Sequence, residues 1–340
     1  MDDFLLRFCL LFCSLSSSLK MKKAQTPFPA GMEITFIQED LKPGGESLIL
    51  GTHIIGEAGV SHWTPLAGSV SESGFANGDA QATRFNNPKS FLQLDETRII
   101  IADTGNYCLR LLTRANAITT TTFSGNCGTR DGTDGDSLTA RFYYPWYLAV
   151  DIKSPDYLIV LDFDDGGYMT YFRKVDKNTG ETTAYPSMYP SRPFRYFTQH
   201  RLTFDLYGTT TTTSAINLLS YDKLNTAATS QLLPDIVVGD SQAGFQDGDN
   251  NIALFSDPKQ LSFIDDDTLL IADEGNNRLR MYEISTQTSS SICDGGSSGF
   301  PDAGLGDCNI NKPVSFYMQH CGDGDLYVVT HSELYVIKGK

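Results

Sequence analysis

Short apolar runs broken by Gly, Asp and Asn follow one another along this chain, and no amphipathic stretch of helical length interrupts them. After Pro88 come KSFLQLD, RIIIADTGN, CLRLLTR and ITTTTFSG, and after Pro258 come KQLSFID, TLLIADEGN, RLRMYEI and SSSICDG. Each series reads as four β-strands separated by turn residues.

The series recur. Segments 74–95, 132–151 and 244–265 align, and in each a Gly-Asp is followed at a fixed distance by Phe and then Pro. The sets are Gly78 with Phe85 and Pro88, Gly135 with Phe142 and Pro145, and Gly248 with Phe255 and Pro258. A shorter fourth segment, 304–320, contains Pro313, and PFRYFTQH from Pro193 lies over PVSFYMQH from Pro313 without a gap. Counting one period back from Phe85 reaches Phe28-Pro29, so units begin near residues 28, 85, 142, 193, 255 and 310. Four strands per unit of this length make a propeller blade, which buries both its faces only by stacking on neighbours. The expectation is an all-β, six-bladed β-propeller of four-stranded antiparallel blades. The final unit ends at DLYVVTHSELYVIKGK, one strand short of a full blade.

Within a unit, the Phe fits as a wedge between blades. The Pro suits the start of the innermost strand, where a missing N–H costs little. Gly105 and Gly275 stand where the second strand turns back, a place for positive φ. Asp103 and Asp273 before them are placed to accept local backbone N–H groups at that turn.

IADTGNYCLRLL (101–112) and IADEGNNRLRMY (271–282) resemble the core of NHL repeats, in which a strand ends in Ala-Asp-x-Gly-Asn and the next alternates Leu with Arg. The resemblance spans roughly residues 28–340. The unit with LIVLDFDDGGY (158–168) departs from it after that motif, and the 193–239 unit replaces it with the Thr run 209–213. The resemblance implies a ring closed by pairing strands from the two termini, with residues near 20–27 completing the last blade; if they do not, the ring is open or the sequence is cut short at its C-terminal side. It also implies a rigid disc that presents loops to a partner, with a minority of relatives that are metal-dependent enzymes.

Charge narrows the partner. A formal net charge of −15 argues against nucleic acid, whose binding needs a cationic face, and against anionic membrane surfaces. Residues 4–13, FLLRFCLLFC, have the length of a secretory signal core and are too short to span a bilayer. Asp2, Asp3 and Arg7 are atypical of such a signal, and Met21 offers an alternative start. The division is therefore a leader over 1–20 and one propeller domain over 21–340, extracellular if the leader is a signal and cytoplasmic otherwise. In an oxidising compartment Cys108 and Cys127 suit a hairpin disulfide around a turn at 114–118. Cys293 and Cys308 form a second candidate pair, with Cys321 competing for Cys308.

Candidate chemistry is sparse. His200 and His320 occupy equivalent places in two units and are the only candidate zinc pair, although their counterparts Asp95 and Asp265 mark that place as a turn. The loops DGTDGD (131–136), QDGDN (246–250) and CGDGD (321–325) could offer oxygens to calcium, but the same letters are ordinary turn chemistry. No GxSxG, HExxH or phosphate-binding glycine loop occurs. The expectation is a cofactor-free, non-catalytic scaffold for a protein or glycan partner. The alternative is a zinc- or calcium-dependent lyase or hydrolase with its site at the channel mouth.

Overall fold

The computed structural model describes residues 20–42, 47–59, 61–164, 170–185, 194–210, 213–225, 234–293, 310–318 and 325–338. It is a six-bladed β-propeller, and its strands fall into six small antiparallel sheets. The chain opens with β1 (Lys20–Lys23). The first blade is β2 (Ile34–Glu39), β3 (Ser47–Gly51), β4 (Ile54–Ala58) and β5 (Trp63–Gly68). The second is β7 (Ser90–Gln93), β8 (Arg98–Asp103), β9 (Cys108–Thr113) and β10 (Thr119–Ser124), edged by the two-residue β6 (Gly78–Asp79). The third is β11 (Tyr144–Val150), β12 (Tyr157–Phe163), β13 (Thr170–Asp176) and β14 (Thr182–Ala184). The fourth is β15 (Phe194–Gln199), β16 (Leu206–Thr210), β17 (Ser214–Leu219) and β18 (Asp235–Asp240). The fifth is β20 (Pro258–Phe263), β21 (Thr268–Asp273), β22 (Arg278–Glu283) and β23 (Thr288–Cys293), edged by β19 (Gly248–Asp249). The sixth is β24 (Ser315–Met318), β25 (Leu326–Val329) and β26 (Leu334–Lys338).

The chain divides into two compact units. One holds residues 25–193, which carry the first three blades, together with the helical turn Tyr221–Asn225. The other holds the last three blades and the N-terminal strand.

In this second unit the sixth blade is complete. β1 runs antiparallel to β26, with Lys20 opposite Lys338 and Lys23 opposite Tyr335. Ala24 N–H extends the ladder to the Leu334 carbonyl at 2.8 Å, and Lys23 pairs with Glu333. The missing fourth strand is thus supplied from the opposite end of the sequence, which covers the edge of β26.

Sheets stack through apolar faces. In the first unit Ile100, Ala102 and Leu109 of the second blade pack with Phe142, Leu148, Leu158 and Val160 of the third. In the second unit Leu270, Leu279 and Ile292 of the fifth blade pack with Phe316, Leu326, Val328 and Ile337 of the sixth.

The recurrent Phe residues are wedges with a defined seat. Phe85, Phe142 and Phe255 are fully buried. Each lies where a Cβ on the glycine ending the preceding blade, Gly68, Gly125 or Gly239, would come within about 3 Å of its ring. Those glycines have φ of +99°, +99° and +95°, so both backbone and space demand glycine there.

A buried ion pair then locks each wedge. In the second blade Asp103 Oδ2 accepts Arg110 Nη1 at 2.7 Å, and in the fifth Asp273 Oδ2 accepts Arg280 Nη1 at 3.0 Å. The third blade repeats this with Asp162 and Arg173 at 3.5 Å. The three guanidinium groups lie over the Phe85, Phe255 and Phe142 rings at 5.4, 4.5 and 5.4 Å.

Two expectations are corrected here. The Asp carboxylates take backbone N–H groups not of their own turn but from 17 residues earlier, Asp103 Oδ1 from Asn86 and Asp273 Oδ1 from Ser256, while each Oδ2 accepts the turn's side-chain amide, Asn106 or Asn276, at 2.8 Å. The left-handed residues of those turns are Tyr107 (φ 60°) and Asn277 (φ 56°), not Gly105 and Gly275. Gly105 and Gly275 are glycine because the chain passes too close: a Cβ would sit 2.6 Å from the Asn86 carbonyl or 2.4 Å from Ser256 Oγ.

Candidate functional site

Antiparallel pairing brings the start of each blade's first strand, where Pro88, Pro145 and Pro258 lie, to the same end as the turn after its second strand. In register, Pro145 stands opposite Asp162 and Pro258 opposite Asp273. The residues just after these landmarks change from blade to blade: Lys89, Trp146 and Lys259 follow the Pro, while Thr104 and Glu274 follow the Asp.

In the second unit this end carries a chain of charges. Lys259 Nζ bonds Asp257 Oδ2 at 2.7 Å and Glu274 Oε2 at 2.9 Å. His331, in the turn between β25 and β26, bonds the other Glu274 oxygen through Nε2 at 2.9 Å. Arg195, at the start of β15, reaches Asp257 at 3.4 Å. Burial pushes the Glu274 carboxyl up, but the hydrogen bonds and charges of His331 and Lys259 outweigh it and hold it at about 2.

In the first unit the same end is aromatic and cationic. Lys89 Nζ lies 5.2 Å over the Trp146 ring, which meets Phe163 edge-on at 5.3 Å. Tyr144 meets Tyr107 edge-on at 5.3 Å, and Arg130 lies 5.5 Å over the Tyr144 ring while donating to its hydroxyl at 2.6 Å. Thr104 Oγ1 donates to the Pro145 carbonyl at 2.5 Å, joining second and third blades beneath these rings. His53, in the turn between β3 and β4, accepts Asn87 N–H at 3.2 Å, and burial and then the Lys89 charge lower its pKa. Lys89, Tyr107, Tyr144 and Trp146 are part-exposed and Arg130 is exposed.

The sequence-named candidates fall elsewhere. His200 lies in the turn between β15 and β16. Its Nε2 faces the Asp266 carbonyl at 2.8 Å and its Nδ1 faces Thr203 N–H at 3.1 Å, which leaves the ring engaged in holding the turn. His320 lies outside the described residues, as do Pro193, Cys308, Cys321 and the Cys293 side chain. Pro313 precedes β24 by two residues. Cys108 and Cys127 are joined by a disulfide, with Cα atoms 5.1 Å apart, around the expected turn between β9 and β10. The Asp-rich loops spend their carboxylates on turns and on the sheet: Asp136 takes Leu138 and Thr139 N–H, while Asp134 pairs with Arg173 at 2.8 Å and Asp247 with Arg280 at 2.6 Å, and residues 321–324 lie outside the described residues. Asp249 takes Asn251 N–H as Asp136 takes Leu138. Among the described residues no three His, Cys, Asp or Glu side chains gather as a metal would require, and no helix is long and apolar enough to cross a membrane.

Sequence reasoning passed over Lys89, Trp146, Glu274 and the role of His331. For Trp146 and Glu274 the signal was variation at a fixed offset from the constant Pro and Asp, whereas Lys89 matches Lys259 at that offset.

No family model matches this sequence, and no curated protein matches it. Solved structures do. An auxiliary nutrient binding protein from Bacteroides ovatus is similar with a TM-score of 0.67 at 13% identity, over 95% of this chain and 77% of that one. A carbohydrate-active enzyme of family AA12 from Trichoderma reesei gives 0.57 at 12%, over 95% and 97%. Virginiamycin B lyase from Staphylococcus aureus gives 0.57 at 10%, over 94% and 99%. At such identities the likeness carries the fold alone, and the chain is a six-bladed β-propeller with neighbours of mixed function.

Proposed function

We propose that this chain is a secreted, NHL-type, non-catalytic propeller that binds a glycan or protein partner at the blade ends where the first strands begin. The observation that carries this reading is the state of the Glu274–His331 pair. Glu274 has both oxygens occupied and sits at about pKa 2, which makes it a poor base near neutrality. His331 commits Nε2 to Glu274, and its Nδ1 is shielded from solvent, so neither nitrogen faces an incoming substrate. The aromatic and cationic groups of the first unit are, by contrast, partly open at the same end of their blades. The Cys108–Cys127 bond suits an oxidising compartment. A neighbour described as nutrient binding and another as carbohydrate-active are consistent with a saccharide ligand.

The test is to pass the purified full-length protein over immobilised saccharides and recover what it retains. Retention of a subset, chemically unchanged after long incubation, is the expected outcome. Turnover of a retained saccharide that disappears in His331→Ala would instead establish the lyase or hydrolase reading.

A further inference from the structure

We propose that Asn77 is a self-modification site: in the folded protein it exchanges its amide for a carboxylate, releasing ammonia and becoming the aspartate that the equivalent positions before the third and fifth blades already hold. The inference is independent of what the chain binds.

The repeat exposes the outlier. The residue just before the recurrent Gly78, Gly135 and Gly248 is Asn77, Asp134 and Asp247 in turn. All three meet the buried arginine of their blade. Asp134 Oδ1 lies 2.8 Å from Arg173, and Asp247 Oδ1 lies 2.6 Å from Arg280. Each of those guanidinium groups therefore stands between two carboxylates, the second being Asp162 or Asp273. Arg110 has the same seat but, among the described residues, a single carboxylate, Asp103. At the other place it donates through Nη2 to Asn77 Oδ1 at 2.7 Å. An aspartate at 77 would make that bond charge-assisted on both sides, as its two counterparts are.

The groups for the exchange are in place. Asn77-Gly78 is the one Asn-Gly step in the chain, and glycine has no Cβ to shield its nitrogen from the neighbouring amide. Asn77 is exposed, so water reaches it. Arginine only donates, which fixes Oδ1 toward Arg110, while Nδ2 donates to Thr122 Oγ1 at 3.3 Å. The guanidinium stabilises the negative charge that gathers on Oδ1 when a nucleophile adds to Cγ. Gly78 N bonds to Cγ, the Cγ–Nδ2 bond breaks, and Nδ2 leaves as ammonia with the former Gly78 proton, closing a succinimide. Water then opens the ring. Attack at Cγ, the carbonyl that Arg110 polarises, breaks the new N–Cγ bond, returns a proton to the nitrogen and leaves aspartate in an unaltered backbone. Attack at the backbone carbonyl would leave isoaspartate, whose extra backbone methylene displaces Gly78 from its place opposite Thr120.

The test incubates full-length protein in heavy-oxygen water, one sample folded and one in denaturant, then digests both in ordinary water. The peptide holding residue 77 is isolated, and its aspartate and isoaspartate forms are separated and weighed. We expect heavy oxygen at residue 77 in both samples. In the folded protein aspartate should be in about tenfold excess over isoaspartate, and in the unfolded chain, where Arg110 is absent from the amide, isoaspartate should be the main product. Asn77→Asp should fold and reach its unfolding midpoint at higher denaturant than the unmodified chain. No label at residue 77 of the folded protein would overturn the proposal. Isoaspartate in the proportion that the unfolded chain gives would overturn the direction by Arg110, and with it the aspartate product. An Asn77→Asp chain with a lower midpoint would show that the seat does not accept the product and would overturn the proposal equally.

Discussion

Arg110 and Asp103 meet at 2.7 Å with both side chains wholly out of solvent, and the guanidinium goes on to bond the carbonyls of Arg84 and Ala76. It therefore ties β9 to the connection arriving from the previous blade. A pair this deep costs several kcal/mol per ion to desolvate, so its value lies in being complete.

Breaking it from one side should be severe. Asp103→Ala leaves Arg110 charged and buried and is expected to cost about 3–5 kcal/mol in denaturant unfolding. The double variant Asp103→Leu/Arg110→Met should be less destabilised than Asp103→Ala. A double variant as unstable as the sum of its singles would show that the pair is not acting as a unit.

Two carboxyls should shape the pH dependence in opposite directions. Glu274 is held at about 2, below its ordinary 4.5, so it contributes stability above pH 4.5 that is lost as pH falls toward 2. Burial lifts Asp162 to about 7, from an ordinary 3.8, against the pull of Arg173 and two backbone N–H groups. Its contribution is full below pH 3.8 and declines as pH rises through 7. Glu274→Gln should flatten the acid limb of a stability–pH curve, and Asp162→Asn should flatten the decline between pH 4 and 7. The slope is the measurement, because Asn pairs poorly with Arg173 and lowers stability at every pH.

The Cys108–Cys127 bond spans 19 residues and closes the hairpin of β9 and β10. Cys127→Ser is expected to lower stability by about 3 kcal/mol, the chain-entropy value for a loop of this order. Peptide mapping without reductant should recover the linked fragments, and free thiols at both positions in freshly purified protein would contradict the bond.

Closure through β1 predicts a sharp truncation boundary. A chain beginning at residue 25 loses the β1–β26 ladder and the Lys23–Glu333 pair. Relative to one beginning at residue 19, it should unfold at lower denaturant and show faster proteolysis within β26. Identical behaviour would mean that β1 adds nothing to the last sheet.

Much of the architecture was legible. The Phe–Pro spacing marks the starts of β7, β11 and β20, and those residues recur because every blade must seat a wedge against the one before. Gly105 was legible as a necessary glycine, but its reason was not. Only the approach of the Asn86 carbonyl, 19 residues away, explains it. The partners of Asp103 and Asp273 were hidden likewise: each binds an Arg one strand later, and sequence alignment shows such a pair only as two separate conserved-looking letters. His200 stood out as a rare residue type in a repeated place, yet rarity carried no geometry.

By itself the sequence determined the period, the six blades and the strand order within each, and offered the Cys108–Cys127 pair for an oxidising compartment, because these follow from local alternation, turn chemistry and short separations. The tertiary structure alone decided that β1 completes the last blade, a pairing across 310 positions from Lys23 to Glu333, and that Lys89 meets Trp146 while Lys259 meets Glu274. A repeat writes burial into neighbouring letters, whereas a site at the blade ends is assembled from positions that become neighbours only after the sheets have stacked.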